Sequence, residues 1–177
     1  MIGLITLEKG DTSRAINAFQ TAVENDPDMV DGYLKLGELF ATKGNSIAEQ
    51  YYSNAVLADP SNIEALHAKA YYLSNVQNNL KGALQLYRDI VQLDPHYEEA
   101  FFNSGLLYLD MDQVEQAWEQ FDLTVKASPT HIRGYYYRGL ASELKGDKEA
   151  ARNDYQQALK FYPDYDRAKA ALARLNG

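Results

Sequence analysis

Cysteine is absent from this chain of 177 residues, so neither a disulfide nor a thiolate metal site helps to hold the fold. Histidine is scarce. His67, His96 and His131 are the only three, and no two of them stand at the spacing a metal needs. Basic residues are in deficit, 17 against 25 acidic ones, which gives a formal charge of -8 and a pI near 4.8. That field disfavours a polyphosphate backbone and an anionic lipid surface as ligands. No apolar run approaches the roughly 18 residues of a membrane span. The N-terminus also lacks a basic segment followed by an uninterrupted apolar one. The chain therefore reads as soluble and unaddressed, with no membrane insertion; its compartment stays open between the cytoplasm, which is favoured, and a secreted or anchored parent. A glycine-rich phosphate loop is missing too, and the carboxylates Glu115, Glu119 and Asp122 share what reads as a solvated helix face. Nothing in this inventory assembles a catalytic constellation, so the expectation is a non-enzyme with no cofactor and no metal.

What the chain does have is periodicity. With 46% hydrophobic and 12% aromatic residues it has the material for a full core. Its five prolines are Pro27, Pro60, Pro95, Pro129 and Pro163, at intervals of 33, 35, 34 and 34 residues. A fixed period in this range marks a repeat architecture, and proline at each unit end suits a chain that must stop one helix before starting the next. Twelve residues before each proline stands an alanine, at Ala15, Ala48, Ala83, Ala117 and Ala151. Four residues after each alanine comes an aromatic, at Phe19, Tyr52, Tyr87, Phe121 and Tyr155. A second pattern lies upstream, with small residues at Gly3, Gly37, Ala70, Gly105 and Gly139, preceded by bulky ones at Tyr33, Leu66, Phe101 and Tyr135. Small residues let helices approach closely while bulky ones fill the space beside them, so these columns predict packing.

Each unit divides into two helices at a turn: Gly10-Asp11, Gly44-Asn45, Gln77-Asn78-Asn79, Asp112-Gln113 and Gly146-Asp147. First helices are expected at 31–43, 64–76, 99–111 and 133–145. Second helices are expected at 12–25, 46–58, 80–93, 115–127 and 149–161, with no strand. Ser61 and Glu64 fit a capping box, and Asp28, Thr130 and Asp164 suit similar starts. The second unit is one residue short in its turn and the third one residue long around Asn78, Asn79 and Leu80. Ser142 stands where a large residue is usual, and Ile90 and Thr124 where small ones are.

Tyr33, Leu36, Gly37, Phe40, Ala48, Tyr52 and Asp59-Pro60 resemble the tetratricopeptide repeat pattern. Phe101, Gly105, Tyr108, Ala117, Phe121 and Pro129 repeat it, as do Tyr135, Gly139, Ala151, Tyr155, Ala158 and Pro163. The resemblance implies an all-α fold, a right-handed superhelical solenoid of antiparallel helix hairpins. One domain over 1–177 is expected, with repeats at 1–29, 30–62, 63–97, 98–131 and 132–165. Residues 166–177 then form a capping helix with Ala168, Leu172 and Leu175 on one face. Met1 opens directly into Ile2, Gly3, Leu4 and Ile5, the middle of a helix, so the first repeat is read as truncated and the chain as a fragment. That truncation would leave Ala15, Phe19 and Ala22 poorly covered.

The resemblance also implies that first helices line a concave groove, the family's usual binding surface. Asp31, Leu34, Lys35 and Glu38 would face it in the second repeat, Glu64, His67, Ala68 and Tyr71 in the third, Glu99, Phe102, Asn103 and Leu106 in the fourth, and Arg133, Tyr136, Tyr137 and Leu140 in the fifth. One column changes sign along the chain, from Asp31, Glu64 and Glu99 to Arg133 and Arg167. Tyr71, Phe102, Tyr136 and Tyr137 are surplus to the core columns, and an apolar surface beyond the core's needs suggests a partner. Asn103 occupies a place where the family often holds a peptide's main chain, since one amide donates and accepts together. The family's clamp for a chaperone's terminal carboxylate is matched at only two of five places, Asn103 and Arg133, with His67, Tyr71 and Tyr137 at the others. The expectation is a scaffold that binds a protein or peptide in its groove. The alternative is a structural module that self-associates through the uncapped N-terminal repeat or continues a longer solenoid. RNA reading by a similar helical repeat is disfavoured by the acidic balance.

Overall fold

A computed structural model describes residues 12–176, in which helices joined by short turns are present and no strand is found among the described residues. The helices fall into two compact units that meet in sequence at Leu93 and Asp94. The first unit carries α1 (Thr12–Asn25), α2 (Val30–Ala41), α3 (Ala48–Ala58), α4 (Ile63–Asn75) and α5 (Leu80–Leu93). The second carries α6 (Glu98–Asp110), α7 (Val114–Ala127), α8 (Ile132–Leu144), α9 (Lys148–Phe161) and α10 (Asp166–Asn176). Every described helix lies within two residues of its expected span. The expected Gly3 column position and the Gly10-Asp11 turn lie outside the described residues.

Packing follows the repeated columns. The five alanines are 0% exposed, and the five aromatics four residues on are between 0% and 6% exposed. Gly37, Gly105 and Gly139 each face the aromatic of their own hairpin. A methyl group placed on Gly105 would come within 2.5 Å of the Phe121 ring, and on Gly37 or Gly139 within 2.7 Å or 2.9 Å of Tyr52 or Tyr155. Close approach, not chain flexibility, explains these glycines. A further column runs through Gly32, Ala65, Ala100, Gly134 and Ala168, all buried. Within the units, Gly32 lies against Val23 of α1, and Gly134 against Val125 and Thr124 of α7. Gly32 and Gly134 thus each pack their hairpin on the hairpin before it in the same unit. Of Ala15, Phe19 and Ala22, expected to be poorly covered, the first two are 0% and 6% exposed and share a core cluster with Leu36 and Leu39 of α2, while Ala22 is half-buried.

The inter-helix turns share one left-handed residue at a constant spacing: Gly44, Asn78, Asp112 and Gly146, with φ of 64°, 55°, 56° and 87°. In three of them the next residue's N–H donates to a carbonyl five positions back: Asn45 to Phe40, Gln113 to Tyr108 and Asp147 to Ser142. That bond closes the helix end. In the third repeat Asn79 reaches six positions back, to Leu73, so the added residue widens the ring. The missing residue of the second repeat is absorbed after the turn. There Ala48, Glu49 and Gln50 donate three positions back, giving α3 a tight first turn where α7 and α9 begin with four-back bonds.

Three of the expected caps are replaced. Asn62, not Ser61, caps α4 by accepting from the Ala65 N–H, while Ser61 turns back to donate to Asp59. His131, not Thr130, caps α8 by accepting from Gly134 through Nδ1. Met29, not Asp28, precedes α2 and makes no side-chain cap. Asp147 caps α9 as its turn position predicts. Ser142, small where bulk is usual, accepts from the Trp118 indole at 2.9 Å, so the indole occupies the space a larger side chain would take.

Candidate functional site

The expected groove residues fall at positions i, i+3, i+4 and i+7 of the first helices, which sets each group on one helix face. In the first unit this face of α4 carries exposed Glu64, half-buried His67 and Tyr71, whose ring is 57% exposed. His67 stands edge-on to Tyr87 at 5.7 Å. On α2, Leu34 is 4% exposed and belongs to the core rather than to a ligand face, and Lys35 pairs with Glu38 at 2.9 Å.

In the second unit α6, α8 and α10 bring together a denser group. Phe102 requires a correction. Expected as open floor, its ring is 1% exposed, enclosed by Phe121 at 5.8 Å, Tyr137 at 5.6 Å and His131 at 5.0 Å. The Arg133 guanidinium closes it from above, 4.4 Å from the ring centre. Phe102 is therefore a support beneath the surface. Asn103 and Leu106, on the same helix, are half-buried, and Glu99 is exposed.

Tyr136 and Tyr137 are half-buried, as is Leu140, while Arg133 and Arg167 are exposed. Tyr137 stacks on Phe121 at 5.5 Å and its hydroxyl accepts from Arg167 Nη1 at 3.2 Å. The Tyr136 ring meets Tyr137 edge-on at 5.1 Å and Tyr165 edge-on at 5.4 Å, with Tyr155 beneath it at 5.6 Å. Tyr165 joins this cluster without having been foreseen. It stands in a column with Tyr97 and His131, the residues that immediately precede α6 and α8, and that column was the available signal. Burial pushes the Tyr165 phenol up, while Arg167 and Arg133 both pull it back, so both guanidiniums reach this hydroxyl electrostatically.

Beside the face, the His131 imidazole is pushed below its ordinary value by burial, against the opposing pull of Glu99 and Glu98. Behind it lies an ionic group that the columns did not disclose. Arg138 donates to both oxygens of Asp154, Nε at 2.9 Å and Nη2 at 2.6 Å, and through Nη1 to Asp122 at 2.7 Å. Burial alone would raise the Asp122 carboxyl, but its hydrogen bonds to Lys126 and Arg138 win and hold it low. Asp154 is deeper, and there burial prevails over Arg138 and leaves it raised. Arg174 of α10 forks onto Glu143 of α8, which also accepts from the Tyr155 hydroxyl and is held low by these bonds. These groups fix α7 through α10 to one another. Among the described residues no cluster of histidines and carboxylates could hold a metal ion, and no helix is long and apolar enough to cross a membrane.

Comparison with known proteins agrees with this architecture. Residues 3–44 match a family model described as TPR repeat, and residues 132–165 one described as tetratricopeptide repeat. The chain is 22% identical over 179 residues to the human protein O-mannosyl-transferase TMTC1, covering 99% of this chain and 20% of that protein. It spans between 12% and 20% of the length of three such curated relatives. Among solved structures it is similar to MamA, with 27% identity, a TM-score of 0.81 and coverage of 96% of this chain and 97% of the other. It is also similar in fold to YrrB, described as a TPR protein with an unusual peptide-binding site, with 22% identity, a TM-score of 0.77 and coverage of 96% and 87%.

Proposed function

This chain belongs to the tetratricopeptide repeat family, and from that premise we propose that it is a non-enzymatic scaffold whose first-helix faces bind a protein or peptide segment. The fold commonly mediates protein–protein interaction. The observation that carries the reading is the face of α8. With the core columns already filled, Tyr136 and Tyr137 remain half-exposed between two exposed arginines. Tyrosine suits such a surface, since its ring gives apolar contact area at small entropic cost and its hydroxyl gives a directed hydrogen bond. In the first unit Tyr71, 57% exposed, offers the same chemistry. Leu140, Leu106 and Asn103 would flank the segment, and Arg133 and Arg167 would set its direction. Phe102 acts from below. The transferase name of TMTC1 is not carried over, because the alignment takes in only a fifth of that protein.

A random peptide library selected against the whole chain tests this. Selected peptides are expected to lose at least tenfold in affinity on Tyr136→Ala, with helical content unchanged by circular dichroism. Peptides that bind Tyr136→Ala as well as the parent but lose binding on Leu123→Ala, a change in the exposed face of α7, would move the site elsewhere.

The second reading is self-association through the first unit. Leu57 there is 78% exposed and borders a hollow of about 260 Å³ that it lines with Pro27, Tyr33 and Asn54. Light scattering separates the two, because a mass that stays monomeric across concentration removes the second.

A further inference from the structure

We infer that the second unit's face is a carboxylate receptor, and that the segment it binds is acidic: an extended peptide placing an Asp or Glu side chain between Arg133 and Arg167, with an apolar neighbour over Tyr136. This deepens the scaffold reading and rests on it.

Three observations carry it. The first is that the cations are unspent. In a chain with eight more acidic than basic residues, most described cations of the second unit that form ion pairs do so locally: Lys126 and Arg138 with Asp122, Lys145 with Glu115, Lys169 with Asp164 and Arg174 with Glu143. Arg133 and Arg167 make no ion pair among the described residues. Glu98, Glu99 and Arg133 all act on His131, the two carboxylates against the guanidinium. The second observation is that both guanidiniums are held in place without a counter-charge. Arg133 lies over the Phe102 ring at 4.4 Å, and Arg167 donates to the Tyr137 hydroxyl at 3.2 Å; those two rings are 5.6 Å apart. Lying over a ring, the Arg133 guanidinium keeps its donor edges free, while Arg167 uses one N–H on the phenol and keeps its others, so both lose little entropy when an anion arrives. The third is that the remaining polar groups are donors of the same kind. The Tyr136 and Tyr165 hydroxyls bond nothing among the described residues, and no buried polar side-chain atom there lacks a partner, so both reach solvent.

The face thus offers two guanidiniums and two free phenolic O–H groups, with Glu99 and the Asn103 amide on the neighbouring helix α6. An anion with oxygens on a flat fork satisfies it, since a guanidinium binds a carboxylate through two parallel N–H donors. The apolar ring of Tyr136, edge-on to its neighbours, makes a shallow seat for an aliphatic side chain beside that anion. This geometry differs from capture of a chain terminus, for which only Asn103 and Arg133 of the family's five places are present.

The test uses synthetic fluorescein-labelled dodecapeptides with amidated ends and the full chain, read by fluorescence anisotropy. One alternates Glu with Leu, its counterpart alternates Gln with Leu, and a third is the Glu peptide with a free C-terminus. The inference expects the Glu peptide to bind at least tenfold more tightly than the Gln peptide, with or without the free terminus. It also expects that preference to fall steeply as salt rises, and to vanish in R133Q/R167Q while the melting temperature stays put. Equal binding of Glu and Gln peptides, both weakened by Y136A, would overturn the acidic preference and leave the scaffold reading standing. No binding of either, together with a library selection insensitive to Y136A, would remove the scaffold reading as well. Binding only of the free-terminus peptide would reassign the site to a chain end. Tighter retention of a single-stranded oligonucleotide than of the Glu peptide would reassign it to nucleic acid. Either result overturns the inference.

Discussion

Replacing Arg138 with methionine should unfold the second unit far more readily than a surface charge deletion does. The guanidinium makes three hydrogen bonds of 2.6 to 2.9 Å to two aspartates on neighbouring helices, and its side chain is only 20% exposed. Asp122 would keep Lys126 at 2.6 Å. Asp154, with 9% of its side chain exposed, has no other partner among the described residues and would be left as a lone buried carboxylate that burial already pushes toward the neutral form. An exposed pair is worth about 0–1 kcal/mol. Breaking a buried pair by removing one member costs about 3–5 kcal/mol, most of it the penalty on the stranded charge. With a urea slope of about 1–3 kcal/mol/M, the midpoint should fall by at least about 1 M. The only tryptophan, Trp118, lies on α7 in the same unit, so its fluorescence reports this transition directly. Arg138→Met/Asp154→Leu should recover more than half of the loss, because an apolar pair of similar volume removes the stranded charge. A single variant that loses less than about 1 kcal/mol, or a double variant no more stable than the single, would refute the claim that a desolvated ion pair joins α8 to α9.

Two further outcomes follow from the packing and the caps. Gly105→Ala should destabilise despite the better helix propensity of alanine, because the added methyl would lie 2.5 Å from Phe121, and overpacking of about 1–3 kcal/mol exceeds a propensity gain of about 1 kcal/mol. A Trp118-monitored urea midpoint that rises would contradict the close approach. Acidification should weaken the second unit through His131, since the Nδ1 that caps α8 accepts a hydrogen bond only when unprotonated. Its folded value is depressed, so its contribution is complete above the unfolded value of 6.5 and is lost as pH falls through the folded one. His131→Asn retains a capping acceptor and does not titrate, so thermal melts from pH 7.5 to 5 should show a smaller drop for the variant than for the parent.

The helical hairpins were legible because one set of contacts is reused at every period. Ala117 and Phe121 must satisfy the same neighbours as Ala151 and Tyr155, so five registers state one packing rule. The caps were less legible because they are decided by register to a single residue. Ser61 and Glu64 fit a capping box, yet the position before each first helix runs Met29, Asn62, Tyr97, His131, and in that column Asn62 is the cap. A local pattern competed with the long-range one, and the cap hydrogen bond sits at the column position. The Arg138 group was hidden for a different reason. Asp122 reads as one more carboxylate on a solvated face, and only the approach of α8 and α9 turns it inward.

The binding face shows where repeat logic stops. His67, Phe102 and Tyr136 share a column, yet His67 and Tyr136 are half-buried while Phe102 is sealed. Within the second unit, the difference between Phe102 and Tyr136 lies in what the next repeat lays over each. Above Phe102 that is the long arm of Arg133, with Tyr137 and His131 at its sides. Above Tyr136 the equivalent arginine, Arg167, donates to the Tyr137 hydroxyl instead, and the ring stays half-buried. Core columns are fixed by contacts within and between identical hairpins, whereas exposure on this face is set by side chains that each repeat chooses for its neighbour. Recognition in such a protein is therefore written in pairs of residues one period apart, and here the pair that matters is Arg133 and Arg167, one lying over a ring and the other orienting a phenol, neither with a counter-charge among the described residues.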